Sequence, residues 1–284
     1  MSSRAAVSQL PPLRDVIESH QLRAKKSLGQ NFLLDLNVTD KIARQVFDIE
    51  KTTIFEVGPG PGGLTRSLLC AGAKKVIAVE FDPRAVEALQ MVKDAAQGGL
   101  ELHLGDALNT DLKRLSQDQP ASIVANLPYN IATPLLFGWL AQIEQNSNAY
   151  SQMVLMFQKE VADRIVALPK TKAYGRLSVM SQWLCHAQPL FELPPNVFSP
   201  PPKITSSVVQ FVPKDLSEGP QPTFKTMEHI VKAAFSQRRK MLRSTLKPYL
   251  HICEKCGIDI TKRAEDLTVE EFVKIAAEKD RQGS

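Results

Sequence analysis

Short apolar runs alternate with helix-spaced apolar positions through the first three quarters of the chain. Runs rich in Val, Ile and Leu between turn residues predict strands, and apolar residues recurring every three to four positions predict amphipathic helices. The predicted strands are 53–57, 75–80, 100–104, 122–126, 152–157, 188–191 and 206–212. Helices are predicted at 62–72, 83–92, 110–115 and 133–143. This rhythm favours an α/β domain with a mostly parallel sheet and helices on both faces.

The chain changes character after residue 213. Residues 213–222 (P-K-D-L-S-E-G-P-Q-P) are rich in turn formers and indicate a linker. Beyond them the predicted elements are all helices: 223–236, 239–247, 248–256 and 268–279. We therefore expect three parts: a loosely held N-terminal arm (1–22), an α/β domain (23–213) and a small all-helical domain (222–284).

Composition narrows the class of protein but does not identify a partner. The net charge of +5 is too small to indicate nucleic-acid binding unless the cations cluster. No apolar run has the length of a membrane span and no signal-type stretch opens the chain, so we expect a cytoplasmic protein. The four cysteines are too scattered for a disulfide framework, and the C-x-x-C at 253–256 lacks a second pair, so no metal site is predicted.

A glycine-rich turn follows the first predicted strand of the α/β domain. Gly58, Gly60 and Gly63 fit G-x-G-x-x-G, which lets the backbone turn sharply and approach a ligand. The next strand ends at Glu80, where a carboxylate accepts hydrogen bonds from ribose hydroxyls. A turn built for packing alone is the alternative. The pair by itself does not distinguish a nicotinamide dinucleotide from S-adenosylmethionine, because both contain an adenosine ribose.

A second acid ends the following strand. Asp106 lies in L-G-D-A at the same predicted edge of the sheet as Glu80. Its carboxylate could accept a hydrogen bond from the amino group of a cofactor adenine. The alternative is an N-cap for the next helix. Features at successive strand ends favour ligand binding at that edge.

The fourth strand ends in Asn126-Leu127-Pro128-Tyr129, which has the groups that methylation of an adenine amine needs. The N6 lone pair is delocalised into the ring, so two acceptors on its hydrogens would favour a pyramidal, nucleophilic nitrogen. The Asn126 side-chain carbonyl is one acceptor, and the backbone carbonyl of Leu127 or Pro128 is the other. Tyr129 offers a stacking face for the base. A turn with purely backbone roles is the alternative.

A proline-rich loop supplies another candidate. In Phe198-Ser199-Pro200-Pro201-Pro202-Lys203 the prolines stiffen the backbone around Phe198. An exposed, rigid aromatic there could close the second side of a flipped-out adenine. The alternative is a core phenylalanine.

The cations do cluster in the predicted helical domain. Residues 232–247, which we call the basic segment, contain six cations and no acid: Lys232, Arg238, Arg239, Lys240, Arg243 and Lys247. Phe235, Leu242 and Leu246 lie at helical spacing and would face the core, leaving the cations toward RNA phosphates. Arg23, Lys25 and Lys26 form a second basic cluster. A solvated charged face is the alternative.

Nine ordered motifs give the chain a resemblance to a known family. It resembles the ribosomal RNA small-subunit adenine N6,N6-dimethyltransferases from about residue 12 to its end. The matching motifs are K-S-L-G-Q-N-F-L-L-D (26–35), E-V-G-P-G-P-G-G-L-T (56–65), V-E-F-D (79–82), G-D-A-L (105–108), N-L-P-Y-N (126–130), F-Q-K-E-V-A-D-R-I (157–165), Y-G-R-L-S-V (174–179), F-S-P-P-P-K (198–203) and F-S-Q-R-R-K-M-L-R (235–243).

The resemblance implies a class I methyltransferase (Rossmann-like) domain with a small helical C-terminal domain. It implies that S-adenosylmethionine contacts Asn31, Leu33, Gly58, Glu80, Asp106 and Asn126. It further implies a catalytic turn at 126–129 and contact of Phe198 with the target base. The reaction would dimethylate two adjacent adenosines in a hairpin near the 3′ end of small-subunit rRNA, within a pre-ribosomal particle, during small-subunit biogenesis. We expect a monomer.

Three other functions stay open at the level of sequence. A large-subunit adenine methyltransferase that confers antibiotic resistance would share the glycine turn and the N-x-P-[FY] site. A non-catalytic RNA-binding assembly or transcription factor could use the same fold, although an intact 126–129 turn and Glu80 argue against lost catalysis. A nicotinamide oxidoreductase is disfavoured because no His or Tyr-Lys pair stands out for hydride chemistry.

Overall fold

The computed structural model describes residues 3–22, 24, 30–116, 121–217, 219 and 221–283. The predicted basic cluster of Arg23, Lys25 and Lys26 lies outside these ranges. The chain forms two compact units. The first consists of Met1–Gly138, Asn148–Lys159 and Pro189–Phe211, and the second of Trp139–Ser147, Glu160–Gln188 and Val212–Ser284.

The strands confirm the predicted α/β class. Their bounds are β1 (Phe32–Leu33), β2 (Thr53–Val57), β3 (Lys75–Glu80), β4 (Leu100–Leu104), β5 (Ala121–Ala125), β6 (Gln152–Gln158), β7 (Cys185–Leu193), β8 (Phe198–Ser199) and β9 (Ser206–Pro213). Within the described residues, seven of them form one sheet in the order β4-β3-β2-β5-β6-β9-β7. Neighbours from β4 to β6 run parallel, and β9 runs antiparallel to β6. β1 and β8 pair antiparallel apart from this sheet.

The central strands are buried because helices cover both faces of the sheet. All five residues of β5 are buried, as are all but the first of β2. Such strands have continuous apolar runs rather than alternation. The helices of this part are α1 (Ser3–Ser8), α2 (Leu13–Ser19), α3 (Leu36–Ala43), α4 (Gly63–Ala71), α5 (Pro83–Ala88), α6 (Gln90–Ala95), α7 (Leu112–Ser116) and α8 (Ala132–Gln145).

Local signals explain where several of these helices begin and end. The Asp82 carboxylate accepts a hydrogen bond from the Arg84 N–H and so caps α5, whose first residue is Pro83. Gly72, with a φ of 108°, ends α4 in the left-handed conformation that glycine adopts readily. The single helix predicted at 83–92 is two helices, α5 and α6, which join at Leu89.

Residues 3–22 are not the loosely held arm that we predicted for 1–22. They form α1 and α2, and Val7, Leu13, Val16 and Leu22 are buried. The Arg66 guanidinium on α4 donates to the carbonyl of Pro11 at 2.6 Å and so connects this segment to α4. Burial of these apolar side chains stabilises the segment.

The second unit is mainly helical. Its helices are α9 (Lys159–Ile165), α10 (Arg176–Leu184), α11 (Phe224–Ala234), α12 (Leu242–Thr245), α13 (Leu250–Lys255) and α14 (Val269–Gly283). Phe235 makes an edge contact with Tyr174 and stacks on Phe272, with ring centroids 6.0 and 5.7 Å apart. A reciprocal cap opens α14: the Thr268 hydroxyl accepts from the Glu271 N–H, and the Glu271 carboxylate accepts from the Thr268 N–H.

The helix predicted at 239–247 is wrong over most of its length. α11 ends before Phe235, residues 236–240 form turns, Leu242–Thr245 is α-helical, and Lys247 begins a short 3-10 helix (Lys247–Tyr249). The N–H groups of Leu242 and Arg243 donate to the carbonyls of Lys262 and Ile260, both at 2.9 Å. These tertiary hydrogen bonds replace those of a continuous helix, although Leu242 and Leu246 are buried as expected.

The division of the chain also differs from the predicted 23–213 and 222–284. Residues 139–147 and 160–188 belong to the second unit, and 189–211 returns to the first. Four of the five boundaries fall inside α8, α9, β7 and β9, and the fifth follows α8 between residues 147 and 148. Among the described residues, no helix is both long and apolar enough to cross a membrane.

Candidate active site

Four parallel strands bring the predicted ligand-binding residues to one edge of the sheet. Gly58, Glu80, Asp106 and Asn126 lie at or just after the carboxyl ends of β2, β3, β4 and β5. We call this the strand-end edge. Backbone hydrogen bonds continue the ladder there, from the Gly58 N–H to Val79 at 3.0 Å and from the Gly105 N–H to Glu80 at 2.9 Å. Open α/β sheets bind ligands at this kind of edge.

The glycine turn needs glycine both for its backbone angles and for its neighbours. Gly58 and Gly60 have φ values of 70° and 53°, in the region that side chains disfavour. A Cβ on Gly60 would lie 2.9 Å from the ring of Phe32, and a Cβ on Gly63 would lie 2.8 Å from the carbonyl of Leu33. The turn therefore packs closely against β1, which the sequence did not predict.

The Glu80 carboxylate is buried and accepts several hydrogen bonds. One oxygen accepts from the Gly60 N–H at 3.2 Å, and the other from the N–H groups of Phe81 and Asp82 at 2.8 and 2.9 Å. Its side chain is only 6% exposed, and burial raises its pKa while these hydrogen bonds oppose the rise. The acid thus closes the glycine turn and stays at the edge of the sheet.

Asp106 lies at the same edge but makes local bonds. Its carboxylate accepts from the Leu108 N–H at 3.0 Å and from the Asn109 side-chain amide at 2.8 Å. Residues 107–109 are a turn and not the start of a helix. Asp106 therefore fixes a turn rather than capping a helix, and it also lines a cavity.

Two cavities lie side by side along the strand-end edge. The larger, of about 210 Å³, is lined by Gln30, Val57, Gly58, Val79, Glu80, Phe81, Gly105, Asp106, Ala107, Leu108, Pro128, Asn130 and Ile131. The smaller, of about 50 Å³, is lined by Gln30, Asn31, Phe32, Gly58, Gly60, Glu80, Asn126, Leu127, Pro128 and Tyr129. Because Gly58, Glu80 and Pro128 line both, the two cavities adjoin.

Most, but not all, of the predicted residues meet at these cavities. Of the six residues predicted to bind the cofactor, Leu33 lines neither; its side chain is in the hydrophobic core, and its carbonyl covers the start of α4. Sequence reasoning missed Phe81, Leu108 and Ile131, which form apolar walls of the larger cavity. Phe81 is 64% exposed, and its position directly after Glu80 was the available signal.

The 126–129 turn is held by hydrogen bonds at each end. The Asn126 side-chain amide donates to the carbonyl of Asn31 at 2.9 Å, which orients the side chain. The carbonyl of Pro128 accepts from the N–H groups of Ile131 and Ala132, both at 3.1 Å, where α8 begins. The Tyr129 hydroxyl lies 2.6 Å from the Ser206 hydroxyl on β9. Burial raises the pKa of Tyr129, and the bond to Ser206 opposes the rise.

Phe198 is not the exposed aromatic that we expected. It is 4% exposed, belongs to the main hydrophobic core and pairs with Leu33 across β1 and β8. It lines a different, wider cavity of about 780 Å³ together with Arg14, Ile17, Leu34, Asp35, Asn196, Val197 and Ser199. Phe198 lies on β8, which pairs with β1 directly after Asn31. Its contact with a target base stays a prediction.

The basic segment is exposed in the second unit. All six of its cations are exposed, but Arg238 has partners from other segments. Its guanidinium lies 3.4 Å from the Glu265 carboxylate and donates to the carbonyl of Lys172. In the described part of the chain, Arg239, Lys240 and Arg243 have no ion pair. The segment thus has an acid beside it that the local sequence did not reveal.

Comparisons with known proteins agree with this geometry. A family model described as ribosomal RNA adenine dimethylase matches residues 21–281. The chain is 50% identical to Ribosomal RNA small subunit methyltransferase A of Rhodospirillum rubrum, over 97% of this chain and 94% of that protein. It is 52% identical to the protein of that name from Rhizobium etli, over 96% of this chain and 98% of that one.

Solved structures agree on the fold. A dimethyladenosine transferase from Plasmodium falciparum has a TM-score of 0.69 and 26% identity, over 88% of this chain and 97% of that one. The 23S rRNA methyltransferase ErmE has a TM-score of 0.65 at 22% identity, over 88% of this chain and 100% of that one, and shows the fold alone. With its class I methyltransferase fold and its match to the family model over almost its whole length, the chain belongs to the ribosomal RNA adenine dimethylase family.

Proposed function

We propose that this protein transfers methyl groups from S-adenosylmethionine to the N6 amino group of adenine in small-subunit ribosomal RNA. The proposal rests on the cavity of about 50 Å³ in which Gly58 and Glu80 meet Asn126 and Tyr129. Transfer to an amine requires donor and acceptor to be in line and in contact, so most of the catalysis is positioning. The names of the relatives, which specify the small subunit, support the choice of RNA.

The adjoining cavity of about 210 Å³ fits the nucleoside half of the cofactor. Phe81, Leu108 and Ile131 supply apolar walls for an adenine ring, and the carboxylates of Glu80 and Asp106 lie at the cavity to accept hydrogen bonds from ribose hydroxyls and an adenine amine. S-adenosylmethionine supplies a methyl group on a positively charged sulfur. We assign its binding to Asn31, Gly58, Glu80, Asp106 and Asn126, whereas the contact predicted for Leu33 stays a prediction because Leu33 lines neither cavity.

The 126–129 turn has two acceptors for the hydrogens of the target amine. Because the Asn126 amide nitrogen donates to Asn31, its side-chain oxygen is the end left to accept from N6. Of the two backbone carbonyls considered, that of Pro128 already accepts two hydrogen bonds, so we assign the second contact to Leu127. No general base is required, since an N6 proton becomes acidic once the nitrogen is alkylated and can leave to water.

The target base would stack on Tyr129, whose ring lines the smaller cavity. Phe198 would contact the other face of the base only if binding of the base, or movement of the β1–β8 pair, exposed the Phe198 ring. The exposed cations of the basic segment would contact RNA phosphates. We further propose that two adjacent adenosines in a hairpin near the 3′ end are each dimethylated within a pre-ribosomal particle, by a monomeric enzyme.

Incubation of the purified protein with labelled S-adenosylmethionine and unmodified ribosomal subunits tests the proposal. We expect labelled N6,N6-dimethyladenosine in small-subunit RNA and none in large-subunit RNA after nucleoside analysis. Asn126→Ala is the matched inactive control. Label found only in the large subunit would favour a resistance-type methyltransferase, and RNA binding without any label would favour a non-catalytic assembly factor.

A further inference from the structure

Ser206 contacts the 126–129 turn, although it has no role in the reaction proposed above. Its hydroxyl lies 2.6 Å from that of Tyr129, a short distance for a bond between two hydroxyls. Ser206 is completely buried, and Tyr129 is partly buried. A buried hydroxyl that loses its partner costs free energy, so the two side chains hold one another in this arrangement.

The two partners differ in how firmly the fold holds their backbones. Tyr129 lies in a turn between β5 and α8. Ser206 begins β9, where it is opposite Gln158 in a register of six residue pairs with β6. The carbonyl of the preceding residue, Thr205, accepts from the Lys159 N–H at 2.9 Å. Ser206 is therefore the fixed partner, and Tyr129 is the one that is positioned.

The bond also connects the two segments that we assign to the target base. Residues 198–205 run from Phe198, through the proline-rich loop, to Ser206. The Tyr129 hydroxyl thus joins the end of this loop to the turn that carries Asn126. Phenylalanine would supply the same stacking face without this hydroxyl, so stacking alone does not account for a tyrosine here.

We propose that Ser206 is a positioning residue for methyl transfer: its hydroxyl fixes the long axis of the Tyr129 ring and so the plane in which the target adenine stacks. This assignment rests on the proposed function. A base held in the wrong plane still binds, but its N6 is out of line with the methyl group. Loss of the bond should therefore lower kcat and leave the affinity for S-adenosylmethionine unchanged.

A double-mutant cycle tests the coupling. Ser206→Ala and Tyr129→Phe each remove one hydroxyl and keep the rest of the side chain. We expect each to lower kcat by about 3- to 10-fold, the effect of one buried hydrogen bond, and the double variant to be no slower than either single variant. Calorimetry should give an unchanged Kd for S-adenosylmethionine in all three.

Ser207→Ala is the matched control, because Ser207 is the next residue of β9, is also buried and projects to the opposite face of the sheet. It should keep wild-type kcat. A hairpin RNA with 2-aminopurine at the target position gives a second readout, since quenching by Tyr129 should weaken in Ser206→Ala but not in Ser207→Ala.

The outcomes separate this assignment from the proposed function. The assignment of Ser206 would be overturned if Ser206→Ala kept wild-type kcat and wild-type quenching, or if the losses in the double variant were fully additive. Methyl transfer by the wild-type protein would still support the proposed function in that case. A wild-type protein that transfers no methyl group to small-subunit RNA would overturn both.

Discussion

The strand-end edge of the first unit and the basic segment of the second unit hold their polar groups in opposite ways. At the edge, Glu80 is buried and accepts from three N–H groups, and the Asn126 amide is fixed by the carbonyl of Asn31. In the basic segment the cations are exposed, and only Arg238 has an ion-pair partner in the described part of the chain.

This difference suits two kinds of recognition. Chemistry at one nitrogen atom needs groups fixed to within a fraction of an ångström, which buried hydrogen bonds provide. Attraction of a polyanion acts over the screening distance and tolerates mobile side chains. Single substitutions should therefore have large effects at the edge and small, additive effects in the basic segment.

The largest effect is expected for Asn126→Ala. It removes one acceptor for the target amine, and the loss of one fixed catalytic contact typically lowers kcat by about 100- to 1,000-fold. RNA affinity, measured by filter binding, should stay within about 3-fold because phosphate contacts dominate it. Near wild-type methyl transfer in this variant would contradict the assignment of the 126–129 turn.

Glu80→Ala should have the next largest effect. We expect the Kd for S-adenosylmethionine, measured by calorimetry, to rise about 10- to 100-fold, because hydrogen bonds to a charged group contribute about 1.5–3 kcal/mol. Glu101→Ala on β4 is the control, since Glu101 is exposed and pairs with Lys75 on the neighbouring strand. Equal affinities in the two variants would remove Glu80 from the cofactor site.

Replacing Arg239, Lys240 and Arg243 together with Ala tests the basic segment. Three lost phosphate contacts should weaken RNA binding and reduce the slope of log K against log salt by about 2 to 3. Lys51, Lys74 and Lys93 in the first unit, also replaced by Ala, give a charge-matched control. If the salt dependence of RNA binding were the same as in the wild type, the RNA would bind to a surface other than the basic segment.

Arg238→Ala tests the one cation of the basic segment that has partners elsewhere in the second unit. Arg238 also holds the carbonyl of Lys172 and the carboxylate of Glu265, so its loss should lower the melting temperature by a few degrees, which the triple variant should not do. A triple variant that melts as low as Arg238→Ala would mean that the segment is structural as a whole.

The last prediction concerns the stability of the edge itself, and not binding or catalysis. Glu56 on β2 is completely buried, and burial raises its pKa to about 8, with the nearby Thr65 opposing the rise and the charge of Glu80 adding to it. The carboxyl is thus protonated in the folded protein near neutral pH but ionised when unfolded. Stability from this group is present below pH 4.5 and is lost progressively as the pH rises toward 8.

Glu56→Gln should therefore stabilise the protein more at pH 8 than at pH 5, by about 1–3 kcal/mol, since each pKa unit corresponds to about 1.4 kcal/mol. Urea unfolding at the two pH values measures it. A stabilisation independent of pH would mean that Glu56 is ionised when folded.

The sheet and the strand-end edge could be predicted from the sequence because local patterns determine them. The runs at 53–57, 75–80 and 100–104 are strands with those bounds, and parallel pairing brings their ends together. The acids and glycines at those ends follow directly. The sequence could not show which acceptors of the site are already occupied. The Pro128 carbonyl, for example, already accepts two backbone hydrogen bonds.

The errors arose where distant segments decide the structure. Phe198 is buried because β8 pairs with β1, more than 160 residues earlier in the chain. Met241 forms a bridge with Arg263, which interrupts an otherwise helical pattern. The N-terminal helices were missed because their burial depends on α4, α5 and α6 and not on their own composition. None of these contacts leaves a signal within a single window of sequence.

The chain passes between the two units five times, inside α8, α9, β7 and β9 and once after α8, and this limits how the protein can be dissected. A fragment beginning near residue 222 would lack Trp183, which stacks on Phe224, and Tyr174, which packs on Phe235. Such a fragment would expose these rings to water and invite aggregation. Genetic fusion or truncation within the predicted linker (213–222) would thus divide one hydrophobic core, so the basic segment has to be studied as part of the whole polypeptide.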